Sequence, residues 1–147
     1  MLDILRHAHA GLRWIVLVLL VVAIVNAFSK WRGNKKFNAG DQKLALFALI
    51  FTHVQILLGI ALYVLNIGEK VQFGANTMKD SLIRFFTVEH ISMMLVAAVL
   101  ITIGYSKAKR APEAAQRFKT TFWFYLVGLL LILASIPWPP RHGASWF

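Results

Sequence analysis

The sequence predicts an all-α integral membrane protein: a four-helix up-down-up-down bundle with both termini outward. Three observations carry this. Hydrophobic residues make up 59% of the 147-residue chain, against the roughly 45–50% typical of soluble domains. The excess sits in four apolar stretches, 12–28, 44–67, 85–105 and 122–138, each near the ~20 residues with which a helix crosses bilayer hydrocarbon. The basic residues gather in alternate connections between these stretches.

The elements follow in order as one domain over residues 1–147, with spans at about 8–28, 44–67, 82–105 and 120–138. The first stretch has no small-residue cleavage pattern behind it and runs into Ser29, Lys30, Trp31 and Arg32, a stop-transfer flank, so it is expected to be a retained helix and not a signal peptide. "KWRGNKKFNAGDQK" reads as a loop, with Asp41 as a cap for the second span. "NIGEKVQFGANTMKDS" is the longest connection between spans, and Asp80 or Ser81 is placed to cap the third. Pro112 in "RAPEAAQR" breaks the chain and is expected to open a short helix leading into the fourth span. That span stops at "IPWPP", because Pro137, Pro139 and Pro140 cannot continue a helix. Short connections make consecutive spans neighbours.

Charge gives the orientation. Lys30, Arg32, Lys35, Lys36 and Lys43 crowd the first connection, and Lys107, Lys109, Arg110, Arg117 and Lys119 the third. The second holds Lys70 and Lys79 beside Glu69 and Asp80. The positive-inside rule then puts the first and third connections in the cytoplasm, with the chain multi-pass in the membrane. The net charge of +10 is explained by this topology, so no nucleic-acid partner is expected. Trp31, Tyr63, Tyr105, Trp123 and Trp138 fall near span ends, as interfacial anchors do. The chain has no Cys, which excludes disulfides, thiolate-held iron–sulfur clusters and covalent haem attachment.

The informative residues are ionisable groups inside the spans, which are costly there and usually face a bundle interior. They are His7, His9 and Arg13 in the first span, His53 with Gln55 in the second, and Glu89 with His90 in the third. Counting 1.5 Å per residue from the cytoplasmic ends puts Arg13 at ~22 Å and Glu89 at ~24 Å, level enough for an ion pair. The same count gives ~28 Å for His9, ~22 Å for His90 and ~14 Å for His53.

Neutral imidazole is a common ligand for haem iron, zinc and copper. Two imidazoles can hold a haem between them if their helices stand far enough apart, and diagonal helices satisfy this more easily than adjacent ones. His9 with His90 is therefore the preferred axial pair, and His53 with His90 the second. Gly11, Gly59, Ala97 and Ala98 are small enough to admit a porphyrin face or to let helices approach. Arg6, Lys79, Arg84 and Arg141 are candidates to receive propionates. Ordinary readings stand beside these. A lone intramembrane His is more often a helix contact than a ligand, and Arg13 with Glu89 can simply fix register. Met93 and Met94 read as packing, His7 as an exposed N-terminal residue, and His142 as a tail residue.

The chain also resembles a family of small four-span membrane proteins of the Bacteroidetes catalogued as cytochrome-b-like. The resemblance covers nearly the whole chain. It rests on "HAHAGLRW" from His7 to Trp14, His53, "MKDSLIRFFTVEH" from Met78 to His90, "LITIGYSKAK" from Leu100 to Lys109, and "IPWPP". It implies a non-covalent b-type haem held by histidines, and electron transfer at the membrane. The matching positions are His7, His9, His53 and His90.

The leading expectation is thus a membrane b-type cytochrome with bis-His haem b, with His9, His53 and His90 as candidate ligands. Arg13 and Glu89 lie at the same site, and a quinone reached from the lipid is a possible redox partner. The alternative is a haem-free accessory or assembly subunit of a larger respiratory complex or a homo-oligomer, which the near absence of extramembrane chain suits. A metal or proton transporter using the same His and Glu ranks third, since four spans make a narrow path.

Overall fold

A computed structural model describes residues 1–142, the side chain of Arg141 excepted. Its elements are α1 (Leu2–Arg32), α2 (Ala39–Leu65), α3 (Ser81–Arg84), a π-helical turn (Phe85–Glu89), α4 (His90–Arg110), α5 (Ala114–Ser135) and α6 (Pro139–His142). α3, the π-turn and α4 form one continuous rod, so four helical rods are long and apolar enough to cross a membrane. The protein is a multi-pass membrane protein with a four-helix fold, as expected.

The boundaries differ from the sequence reading for local reasons. α2 begins earlier than expected because Asn38, not Asp41, is its N-cap. The Asn38 side chain accepts from Asp41 N at 3.0 Å and the Asp41 carboxylate accepts from Asn38 N at 3.0 Å, a reciprocal capping box. Asp80 caps α3 as expected, accepting from Leu82 N and Ile83 N, both at 2.9 Å. No separate short helix follows Pro112; α5 starts at Ala114 and runs unbroken into the membrane. It stops at Ser135 because Ile136, the residue before Pro137, is extended at φ −68° and ψ 133°.

Each rod packs on two others. α1 lies against α2 and α5, and α4 lies against α5 and α2. α1 and α4 are therefore diagonal, as are α2 and α5. The α4–α5 contact is the closest of the four and the α2–α4 contact the loosest. The core is formed by Leu20, Ala48, Ala97, Ile101 and Tyr125, all fully buried. The Tyr125 hydroxyl crosses the bundle diagonal to donate to the Ala45 carbonyl at 2.7 Å, so its one polar atom is satisfied inside apolar surroundings. Outward, Ile15, Val18, Val22 and Val25 form an exposed stripe along α1, and Leu57, Ile60 and Val64 another along α2. Such stripes are what a bilayer covers.

At the basic end of the bundle Asp41, 3% exposed in its side chain, is the hub that ties α1 to α2. It accepts from Lys30 Nζ at 2.6 Å and from Asn26 Nδ2 at 2.9 Å. Asp41→Ala removes the capping box and strands the Lys30 ammonium. The expected cost is about 3 kcal/mol, the low end for breaking a buried pair because Lys30 keeps some exposure. Denaturant unfolding in detergent micelles measures it, and a loss under 1 kcal/mol, about the worth of a surface pair, would contradict the hub role.

A histidine-lined cavity at the terminal end

The other end of the bundle, where α1 begins and α6 lies, encloses a cavity of about 300 Å³. Both His9 of α1 and His90 of α4 line it. These are the diagonal helices, so the pair preferred on geometric grounds in the sequence does converge on one space.

The setting of His90 is built by prolines. In a continuing helix the carbonyl of Leu133 would accept from residue 137 and that of Ser135 from residue 139. Both positions are proline and carry no N–H. The freed Leu133 carbonyl accepts from Trp138 Nε1 at 3.0 Å, and the freed Ser135 carbonyl contacts His90 Nδ1 at 2.7 Å. A carbonyl only accepts, so His90 carries its proton on Nδ1 and keeps the lone pair on Nε2. An imidazole pinned in this way is the usual arrangement of a metal-ligating histidine.

His90 directly follows the π-turn. In that turn the hydrogen bonds run to the fifth residue, His90 N donating to the Phe85 carbonyl. The Thr87 carbonyl accepts from Tyr63 Oη at 2.9 Å, and Thr87 Oγ1 accepts from Gln72 N at 3.1 Å. The turn is thus clamped by α2 and by the connection that follows it.

His9 lies against Gly59 of α2. A Cβ there would come within 3.2 Å of His9 Cε1, so the glycine makes the room for the ring. Gln55 Nε2 donates to the His9 carbonyl at 2.8 Å. His9 Nδ1 and Gln55 Oε1 are buried and make no hydrogen bond among the described residues.

Arg13 is 8% exposed and also lines the cavity, its guanidinium 5.3 Å from the Trp14 ring centroid and 6.0 Å from that of Trp138. The expected ion pair between Arg13 and Glu89 is not formed. Glu89 Oε1 instead accepts from Arg84 Nε at 2.7 Å. The reason is the π-turn, in which residues five apart stack on one another; depth alone had paired Glu89 with the wrong arginine.

His53 does not reach the cavity. It is exposed on the bilayer side of α2, with Nε2 2.9 Å from Thr102 Oγ1 of α4. The Thr102 hydroxyl donates to the Ala98 carbonyl at 2.7 Å, so it accepts from His53. The alternative pairing of His53 with His90 is therefore not assembled. His7 is exposed, as expected. The His142 ring stacks on Phe85 at 3.9 Å, and among the described residues no group of three or more His, Cys, Asp or Glu gathers as a metal cluster.

Of the expected propionate partners, Arg6 lines the cavity. Its Nη2 donates to Asn66 Oδ1 at 2.8 Å and stands 3.6 Å from Glu69. Arg84 is engaged by Glu89, Lys79 is not part of the wall, and Arg141's side chain lies outside the described residues. Lys70, missed in the sequence, joins the lining, its Nζ 5.3 Å from the Phe86 ring centroid. The connection after α2 also roofs the cavity. Gly68, at φ 95°, permits the tight turn in which its N–H donates to the Val71 carbonyl at 2.8 Å, and this buries Asn66 and Val71 over the space.

No family model, curated protein or solved structure matches the chain.

Proposed function

We propose that the protein is a b-type cytochrome of the bacterial cytoplasmic membrane, with haem b held non-covalently between His9 and His90. The observation that carries this reading is the convergence of two imidazoles from diagonal helices on one cavity. The residues present fit the group in three further respects. His90 is oriented by the Ser135 carbonyl with its Nε2 lone pair free of that bond. His9 has a buried ring nitrogen without a hydrogen bond among the described residues, and Gly59 supplies space that any side chain would take. Lys70 offers a cation to a carboxylate where the cavity meets the roof, beside Arg6, which Asp3 and Glu69 already engage. The resemblance to cytochrome-b-like four-span proteins points the same way.

Haem with both axial positions filled by imidazole supplies single-electron transfer. The chain's own part is to fix the two rings from opposite helices, to keep water away with Val16, Ile132 and Ile136, and to hold Arg13 against Trp14 and Trp138 as a fixed positive charge. Under the positive-inside orientation the cavity lies in the outer half of the bilayer. A quinone dissolved in the lipid is the redox partner this position suits.

The test is a reduced-minus-oxidised absorbance spectrum of protein purified from haem-sufficient cells. The expected result is a sharp α-band and a shifted Soret peak, with haem extractable at unit stoichiometry. A flat spectrum would overturn the reading in favour of a haem-free subunit of a membrane complex.

A further inference from the structure

We infer that the cavity is filled sideways from the bilayer, through a slit between α2 and α4, and that it selects a membrane-dissolved amphiphile bearing a carboxylate, which Lys70 receives. The identity of the cargo as haem rests on the proposed function; the route and the charge preference do not.

Three observations carry the inference. The first is where the wall is open. Among the residues lining the cavity only Ile60, Lys70 and Leu95 are exposed. Ile60 and Leu95, 40% and 43% exposed, are apolar and come from α2 and α4, the pair with the loosest contact. They line the cavity and also face the lipid, so the gap between them opens into hydrocarbon.

The second is that, apart from the cationic rim at Lys70 and Arg6, the other directions are closed. Asn66 and Val71 close the top, and Arg13, Val16, Ile132 and Ile136 close the side toward α1 and α5, all of them buried. A solute arriving from water would have to displace the roof, which hydrogen bonds tie to Arg6 of α1 and to Thr87 of the π-turn. One arriving from lipid meets the aliphatic side chains of Ile60 and Leu95.

The third is charge. Arg6, Arg13 and Lys70 line the cavity and, among the described residues, no Asp or Glu does; Arg6 is already met by Asp3 at 3.4 Å and Glu69 at 3.6 Å, which leaves Lys70 as the cation of the rim. Lys70 stands at the exposed rim, and among the described residues no carboxylate lies within ion-pair distance of it. A cationic rim above an apolar slit is complementary to a molecule with a flat or chain-like apolar body and an anionic end, and a low-dielectric wall strengthens that preference.

The experiment uses the full-length protein in haem-free liposomes and two probes. The first probe is a diazirine-bearing fatty acid, compared with the alcohol of the same chain, with crosslinks mapped by mass spectrometry. The expected result is labelling of the cavity residues Ile91 and Met94 at least fivefold stronger with the acid than with the alcohol. Lys70→Gln should remove that difference, and Ile60→Trp with Leu95→Trp should slow the appearance of the cavity labels at least tenfold after the probe is added, while labels on the α1 stripe at Val18 and Val22 appear at the wild-type rate. Labels confined to that stripe would overturn the lateral route, and equal labelling by acid and alcohol would overturn the charge preference. The second probe is hemin predissolved in the liposomes. The Ile60→Trp, Leu95→Trp protein should load at least tenfold more slowly than wild type yet reach the same final stoichiometry; an unchanged rate would overturn the route. Cavity photolabelling in a wild-type protein that takes up no hemin would overturn the haem reading alone and leave the route standing.

Discussion

Alanine at His90 should strip the protein of haem, alanine at His9 should do the same or leave a high-spin, five-coordinate spectrum, and alanine at His53 should leave the low-spin spectrum intact. The contrast comes from the cavity. His9 and His90 share it, whereas His53 stands on the lipid face with Thr102 as its partner. Disturbing even an outer-shell partner of a ligating histidine costs roughly 10–100-fold in affinity, so deleting the ligand at His90 should raise the haem Kd by more than about a hundredfold. The fold should survive. His90→Ala leaves the buried Ser135 carbonyl without its donor, at a cost of about 1–3 kcal/mol, and the α4–α5 contact below it is untouched. Haem retention by the His90→Ala protein, or loss in His53→Ala, would refute the assignment. Pyridine haemochrome stoichiometry and low-temperature electron paramagnetic resonance read the two outcomes.

The largest loss of stability is expected from Gly104→Ala, although the change adds only one methyl group. A Cβ at Gly104 would lie 2.3 Å from Phe124 Cβ on α5. Non-bonded carbons need about 3.5–4.0 Å, and a Cβ cannot swing aside as the end of a side chain does. The helices must separate by more than an ångström along the tightest seam of the bundle, where close approach is the source of helix association in lipid. A cost of about 3 kcal/mol or more is expected, at or beyond the upper end of ordinary overpacking. Gly59→Ala is the informative comparison. Its Cβ meets only the His9 ring, at 3.2 Å, so it should spare stability and instead disturb the ring that faces the cavity. Unfolding in detergent for the first variant and the haem spectrum for the second separate these effects. Equal stability of Gly104→Ala and wild type would contradict the packing argument.

The helices were legible in the sequence because length and apolarity are one-dimensional properties. So were the diagonal placement of the first and third spans, which short connections impose, and the stop at Pro137. What depth counting lacked was azimuth. His53 follows Thr52 by one residue, which turns it about 100° around the helix. Thr52, Gln55, Ile56 and Gly59 hold the cavity face by their spacing of three and four, and His53 falls outside it. That periodicity was present in the sequence and would have demoted His53. Glu89 was misassigned for another reason. The π-turn inserts a phase change that no α-helical count contains, and it hands the carboxylate to Arg84. The part played by Ser135 was readable from Pro139, four residues on, since a missing N–H frees a definite carbonyl. Lys70 was not readable at all, because only the fold of the roof brings it to the rim.

The π-turn between Arg84 and His90 has a wider consequence for how this rod is adjusted. An α-helix is a rigid screw, so whatever aims one end aims the other. One surplus residue works as a vernier between two such screws. Above it, Asp80 and Arg84 keep the bearing that suits the surface connection; below it, His90 keeps the bearing that suits the bundle interior. Removing a residue between Phe85 and Glu89 would restore a uniform screw and turn the two halves by about 100° relative to each other. The chain can therefore vary its surface connection in length and sequence on one side of this joint while the aim of the imidazole on the other stays calibrated.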